Sequence, residues 1–217
     1  MRVLAFFLLV AVAEAGADEC AALPPPSVTV KQISAPVTVN PDHDYRAISL
    51  LSTQEHRTNQ RVLGLTRGTA RVVFEIRAPA IVDRTRQWEC VSPQITMSYG
   101  FSPMTVYVAR EFPPEGCAYR EILQHEQRHV KTYLDHLAAL APELTEALQR
   151  RFATGTPARA PVGQTRALLE RELQERWMPF VQREMERVRS SQALIDTPEE
   201  YRRVSESCGG EILRVVR

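Results

Sequence analysis

The sequence predicts an α+β fold: an N-terminal antiparallel β-sheet followed by a long motif-bearing helix, a second long helix and a short C-terminal helix. Two changes of pattern predict it. Between residues 27 and 112, β-branched and apolar residues alternate with polar ones, the period of a half-buried strand. From Ala118 the apolar residues move to spacings of three and four, the period of a helix, and helical character continues to about residue 207. The chain has 217 residues, 44% of them apolar and 24% charged, enough for one domain with its own core and too apolar for a disordered segment. Residues 18–217 are accordingly read as a single domain, β-rich over 27–112 and helical over 118–207.

Residues 1–17 read as a secretory signal peptide. Arg2 precedes an apolar run from Val3 to Ala13, and the small-x-small sites Ala13-Glu14-Ala15 and Ala15-Gly16-Ala17 follow. The run is short for a bilayer, so no stable membrane span is expected after cleavage, and the mature chain is expected to be secreted or periplasmic. Glu19 stands where a lipoprotein site needs a small residue before Cys20. Export into an oxidising compartment accounts for the even number of cysteines: Cys20, Cys90, Cys117 and Cys208. The favoured pairing is Cys90–Cys117, closing a strand pair just before the motif helix, with Cys20–Cys208 tying the two ends of the mature chain. No C-x-x-C spacing points to a cysteine metal site.

Leu23-Pro24-Pro25-Pro26 is an extended lead-in, because proline supplies no N–H to a helix or ladder. Ser27 to Ile33 and Val37 to Val39 read as strands, and Asn40-Pro41-Asp42 as a turn. Tyr45 to Leu51 reads as strand, and Thr53 to Val62 as a short helix capped near Ser52; both readings are ambiguous on pattern alone. Thr69 to Ile76 is a strand. Pro93 to Tyr99 and Met104 to Arg110 are two more, joined by Gly100-Phe101-Ser102-Pro103 as a hairpin connection. After Pro113-Pro114-Glu115-Gly116, the residues Ile122, Val130, Tyr133, Leu134, Leu137 and Leu140 take helical spacing, and Leu144, Leu148 and Phe152 continue it past Pro142, which kinks the helix or starts another. Thr154 to Pro161 is a linker loop. Gln164 to Ser190 is the second long helix, bent at Pro179, with Leu169, Leu173, Trp177, Phe180, Val181 and Val188 on one face. Asp196-Thr197-Pro198 supplies a cap and a proline at the first helical position, so a short helix begins there.

Bulk charge excludes some functions. The formal net charge is +1, and the arginines are interspersed with glutamates as on an ion-paired surface. No basic run with interleaved aromatics marks a nucleic-acid interface.

One stretch carries chemistry. His125-Glu126-Gln127-Arg128-His129 reads H-E-x-x-H. Four residues make about one helical turn, so both imidazoles leave from one face and can share a metal ion, Zn²⁺ by ligand type. Glu126 between them can serve as general base toward an activated water. A third protein ligand is needed. His136 would sit about 10 Å up an unbroken helix from His129, out of reach of the same ion. A carboxylate of the C-terminal half is expected instead: Glu184, on the apolar face of the second long helix, or Glu199 or Glu200, in the first turn of the last one. Tyr133 and Tyr201 are candidates to stabilise an oxyanion.

The signal peptide, the β-rich half, the helix bearing His125-Glu126-x-x-His129, the long second helix and the acidic turn after it resemble the predicted secreted zinc-dependent proteases of bacteria, a family whose substrate is poorly defined. The resemblance covers most of the mature chain and is sharp at the H-E-x-x-H helix. Members carry an aspartate-threonine-histidine segment after the second long helix; here the comparable place reads Asp196-Thr197-Pro198-Glu199-Glu200-Tyr201. The resemblance thus implies His125 and His129 as zinc ligands, with Glu200 in the place of the family's histidine, Glu126 as catalytic base, and a peptide or protein substrate. The competing expectation is an exported, disulfide-stapled binding or assembly module in which the motif is structural or vestigial.

Overall fold

The computed structural model describes residues 19–52, 61–157 and 159–215. The signal-peptide reading of residues 1–17 lies outside them, as does the Thr53–Gln60 portion of the short-helix reading. Within the described residues the molecule is the expected mixture of sheet and helix. Strands β1 (Ser27–Gln32), β2 (Val37–Asn40), β3 (Gly64–Arg77) and β6 (Gln94–Val108) form the main sheet, and β4 (Ala80–Asp83), β5 (Trp88–Val91) and β7 (Arg159–Pro161) a small second one. The helices are α1 (Tyr45–Leu51), α2 (Cys117–Phe152), α3 (Thr165–Glu172), α4 (Met178–Glu186), α5 (Val188–Ala193) and α6 (Pro198–Val215).

The main sheet is built on β6, and here the expectation is corrected. Residues 94–108 are one strand of 15 residues, where the sequence pattern suggests a hairpin. The alternation explains why. Ile95, Met97, Tyr99 and Phe101 point inward, and then Met104, Val106 and Val108 do, so the phase slips from odd to even at Ser102-Pro103. The slip keeps one face of the strand in the core. Pro103 is tolerated because neither neighbour pairs with it: β1 covers 94–99, β2 covers 104–107, and the register of β3 shifts between Gly68 and Ala70. The sheet is also mixed in direction. β3 runs antiparallel to β6, whereas β1 and β2 run parallel to it end to end along its other edge. Where β1 gives way to β2 the chain lies so close to β6 that a Cβ on Gly100 would come within 2.9 Å of Ile33.

The favoured disulfide pairing fails with the hairpin. Cys90 precedes β6 and Cys117 follows it, and a strand of that length holds its ends roughly 45 Å apart. The bonds are Cys20–Cys90 and Cys117–Cys208, with Cα atoms 5.5 and 5.8 Å apart. One fastens the N-terminal lead-in to β5, and the other fastens the start of α2 to α6. No cysteine is free among the described residues, which is the state an oxidising compartment allows. No helix there is long and apolar enough to cross a membrane.

Two local readings also differ. Tyr45–Leu51 is helical, because the Asp44 side chain accepts the Ala47 N–H at 2.8 Å and caps it. Part of the expected linker after Thr154 forms β7 against β5.

α2 is a single helix of 36 residues, about 54 Å long, and Pro142 does not interrupt it. Its second half buries Leu137, Leu140, Leu144, Leu148 and Phe152 against the sheet residues Ile95, Met97, Tyr99 and Phe101 and against Leu169, Leu173, Trp177, Val181, Met185 and Val188. That second stripe comes from α3 to α5. The helix there widens into a π-turn over Leu173–Trp177, just ahead of Pro179, which has no N–H to give to a preceding carbonyl. A separate core forms at the other end of the sheet from Ile48, Val106, Val108, Phe112, Tyr119, Ile122, Val204 and Ile212. His125, Glu126 and His129 lie on α2 between these two cores.

Candidate metal centre

The buried stripe of α2 runs Ile122, His125, Glu126, His129 and then Leu137. For one and a half turns it carries polar residues where the geometry calls for apolar ones. All three are buried: His125 is 6% exposed, Glu126 4% and His129 7%. Burying such groups costs free energy unless partners compensate, so the partners define the site.

The two Nε2 atoms face each other at 3.2 Å. Asp196 Oδ1 completes a triangle, 3.2 Å from His125 Nε2 and 3.1 Å from His129 Nε2. Asp196 lies in the loop just before α6, and its carboxylate is free for this because Thr197 caps the helix. The Thr197 hydroxyl accepts the Glu200 N–H at 3.2 Å. Glu200, expected as the third ligand, is placed elsewhere. Its Oε1 is 3.3 Å from Nδ1 of His125, the nitrogen facing away from the triangle. It is held by both Arg203 and Arg128, and the Arg203 guanidinium is the main cause that brings its carboxyl down to about 2. The structure therefore brings Asp196 to the paired imidazoles and sets Glu200 behind one of them. Glu199 is exposed, and Glu184 pairs with Arg187 at 2.7 Å. His136 lies outside the cluster, at 2.8 Å from the Glu184 carbonyl.

The outer nitrogen of His129 sets its tautomer. His129 Nδ1 is 2.5 Å from Oε1 of the buried Gln192, whose Nε2 in turn donates to the His129 carbonyl at 3.1 Å. An N–H on Nδ1 leaves a lone pair on Nε2, turned into the triangle. His125 Nδ1 stands between Glu200 Oε1, an acceptor 3.3 Å away, and the Arg128 guanidinium, a donor 2.9 Å away that also binds Glu200 Oε1.

Two imidazole Nε2 atoms and a carboxylate oxygen thus converge, and with the ring protons on Nδ1 only acceptors face one another, an arrangement that a cation answers. Their separations of 3.1–3.2 Å are close to the edge of a tetrahedron whose centre-to-ligand bonds are those of zinc, about 3.3 Å. Burial pushes His129 down, but Asp196 and Glu126 more than offset it and hold the ring above its ordinary value. Asp196 is held below the usual carboxylate range: burial raises it, and the two histidines outweigh that.

The Glu126 side chain reaches β3. Thr66 Oγ1 lies 2.8 Å from Glu126 Oε2 and 3.0 Å from its backbone carbonyl. Burial is the dominant influence and raises the carboxyl above its usual range, the histidines and Thr66 offsetting only part. Gly64 makes room for it: a Cβ there would come within 2.5 Å of Glu126 Oε1 and 2.7 Å of Ile122. Tyr201 lies beside the centre, its ring 6.1 Å from that of His125. Burial and the neighbouring Asp196 carboxylate raise its phenol, keeping it protonated and able to donate to Asp196. Tyr133 packs against Phe101 at 4.5 Å on the opposite side.

His125, Glu126, His129, Gln192 and Asp196, with Gly64, Thr66, Tyr133 and Tyr201, border one cavity of about 800 Å³, open between the start of β3, α2 and α6. The far edge of β3 has no partner strand among the described residues. Sequence reasoning did not find Asp196, Gln192, Thr66 or Gly64. Only Asp196 left a signal: Thr197-Pro198-Glu199-Glu200 is a T-x-x-E capping pattern, which makes Thr197 the cap and releases the preceding aspartate.

No family model matches this chain, and neither the curated proteins nor the solved structures contain a match to it.

Proposed function

We propose that this protein is an exported zinc metallopeptidase of the secreted zinc-dependent protease kind, with His125, His129 and Asp196 as metal ligands and Glu126 as general base. The observation that carries this reading is the convergence of His125 Nε2, His129 Nε2 and Asp196 Oδ1 within a buried cluster at the wall of a large cavity. Nothing in packing requires it, since apolar residues fill the same stripe elsewhere on α2. Zinc bound there supplies Lewis acidity, polarising a carbonyl and acidifying a water. Glu126 takes the proton of the attacking water on Oε1, Oε2 being anchored by Thr66, and passes it to the departing amine. Its elevated proton affinity suits a group that must accept and then release a proton near neutral pH. Gln192 and Glu200 hold the two rings, and Tyr201 holds Asp196. The free edge of β3 beside Thr66 offers backbone groups to an extended peptide, which would add as a further strand.

The test is metal content followed by activity. Mature protein equilibrated with zinc and desalted is expected to retain one ion per chain. His129→Ala should retain none, and Glu126→Gln should keep the ion while losing peptide hydrolysis. A folded wild-type protein that takes up no zinc overturns the reading.

A further inference from the structure

The cavity is chemically lopsided. One end carries the histidines and acids of the metal centre. The other is walled mainly by Leu63 just ahead of β3, Leu65 of β3, Ile122 of α2, and Val204, Ile212 and Leu213 of α6, with Ser52, Arg61 and Ser205 also in the lining. Ile122 and Ile212 are 2% and 1% exposed, so they form a fixed floor, while Leu213 is 49% exposed at the rim. The two ends meet at Gly64. The point where its Cβ would stand lies 2.5 Å from Glu126 Oε1 and 2.7 Å from Ile122 Cγ2, so the apolar wall begins one contact from the base. α6 reaches over this floor because its axis breaks at Ser207–Gly210, where Cys208, Gly209 and Gly210 take positive φ and Cys117–Cys208 pins the bend to α2.

From this geometry we infer that the substrate is a polypeptide carrying a bulky aliphatic or aromatic side chain next to the scissile bond, seated between β3, Ile122 and the bent end of α6. The inference rests on the metallopeptidase reading for its chemistry, but not for the pocket. The one arginine in the lining, Arg61, has its guanidinium against the Tyr45 ring, 5.7 Å from the centroid, so a charged side chain set among Leu63, Leu65, Ile122, Val204, Ile212 and Leu213 would lose its water with no opposite charge among them. A small one would leave the floor uncovered and forgo the apolar burial.

Two measurements test it. In the first, zinc-loaded protein is given a mixed peptide library and the cut sites are sequenced. Leu, Phe, Met or Ile is expected at one fixed position beside the cut, with Asp, Glu and Lys depleted. Leu213→Asp, at a half-exposed position that should fold normally, is expected to lower kcat/KM for a leucine-containing peptide by roughly 10–100-fold. In the second, metal-free Glu126→Gln protein is titrated with N-acetyl-leucinamide and, separately, N-acetyl-aspartamide while the methyl resonances of Ile122 and Ile212 are followed. The leucine derivative is expected to shift them and the aspartate derivative to leave them in place. Equal shifts from both, no shift from either, or cleavage without an apolar preference overturns the pocket and leaves the zinc reading standing. Selective methyl shifts in a protein that binds no zinc and cuts no peptide overturn the metallopeptidase and with it the substrate assignment.

Discussion

Two glutamates in this molecule are almost equally closed to solvent, Glu126 at 4% exposure and Glu89 at 6%, but Glu126 lies much deeper and their hydrogen-bond partners differ. Glu89 lies on β5 in the small sheet. Its two oxygens accept the backbone N–H groups of Gly163 and Thr165 at 2.8 and 2.9 Å. It thereby caps α3, whose own flanking residue Gln164 supplies no side-chain bond. Burial pushes its carboxyl up, but those amides more than offset this and hold it below the usual range. Glu126 has a threonine hydroxyl and no backbone donor, and burial wins. A carboxylate met by two fixed amides is a structural anion. One given a single hydroxyl and a cavity keeps its proton affinity high, and chemistry can use that.

Substitutions at the two sites should therefore diverge. The largest effect belongs to Glu126→Gln, expected to cut peptide hydrolysis by roughly 10²–10⁴-fold with zinc content unchanged, as read by turnover and metal analysis. Gly64→Ala comes next. Its new methyl group presses on Glu126 Oε1, and a displacement of that order should lower kcat on the order of 10²-fold while zinc stays bound. Glu89→Ala should leave the metal centre alone and destabilise the fold by about 1–3 kcal/mol at pH 7, seen in urea melts, because two buried N–H groups lose their acceptor.

That loss carries a pH signature. A carboxyl whose folded value lies below its unfolded value contributes stability above about pH 4.5, and the contribution disappears as pH falls through the folded value. The wild type should thus lose stability on acidification and Glu89→Ala should lose less, so their melts converge toward pH 3. The smallest effect has the opposite sign. In metal-free protein at neutral pH, Glu126→Gln should melt slightly higher than the wild type, by no more than about 1 kcal/mol, since an amide is cheaper to bury than a carboxylate. A lower melt would show that Glu126 holds the fold as Glu89 does.

The parts of this molecule legible in its sequence are those set by local period. The apolar stripes of α2 and of α3 to α5 can be counted off, and so can the position of His125, Glu126 and His129 on an unbroken helix. Long-range pairing could not be read. The phase slip at Ser102-Pro103 imitates the turn of a hairpin, and only the flanking strands show that the chain continues straight. The mistaken cysteine pairing follows from that single misreading. Glu89 sits in an ordinary alternating segment, and its partners come 74 and 76 residues later. Asp196 was hidden by its neighbour's role: aspartate before threonine and proline reads as a cap, and the competition between two good caps is decided by which side chain has another use.

The distance along the chain between the ligands has a consequence for the order of assembly. Asp196 follows His129 by 67 residues, and Cys208 follows Cys117 by 91. A nascent chain of 150 residues already holds both imidazoles, yet it lacks Asp196, the carboxylate that meets both Nε2 atoms. Closing so large a loop is slow and waits on the packing of α3 to α5. On the proposed reading, metal capture would belong to the last stage of maturation, after the second cysteine of the α2–α6 bond has arrived. Such timing would withhold the proposed hydrolytic activity until the rest of the protein is finished.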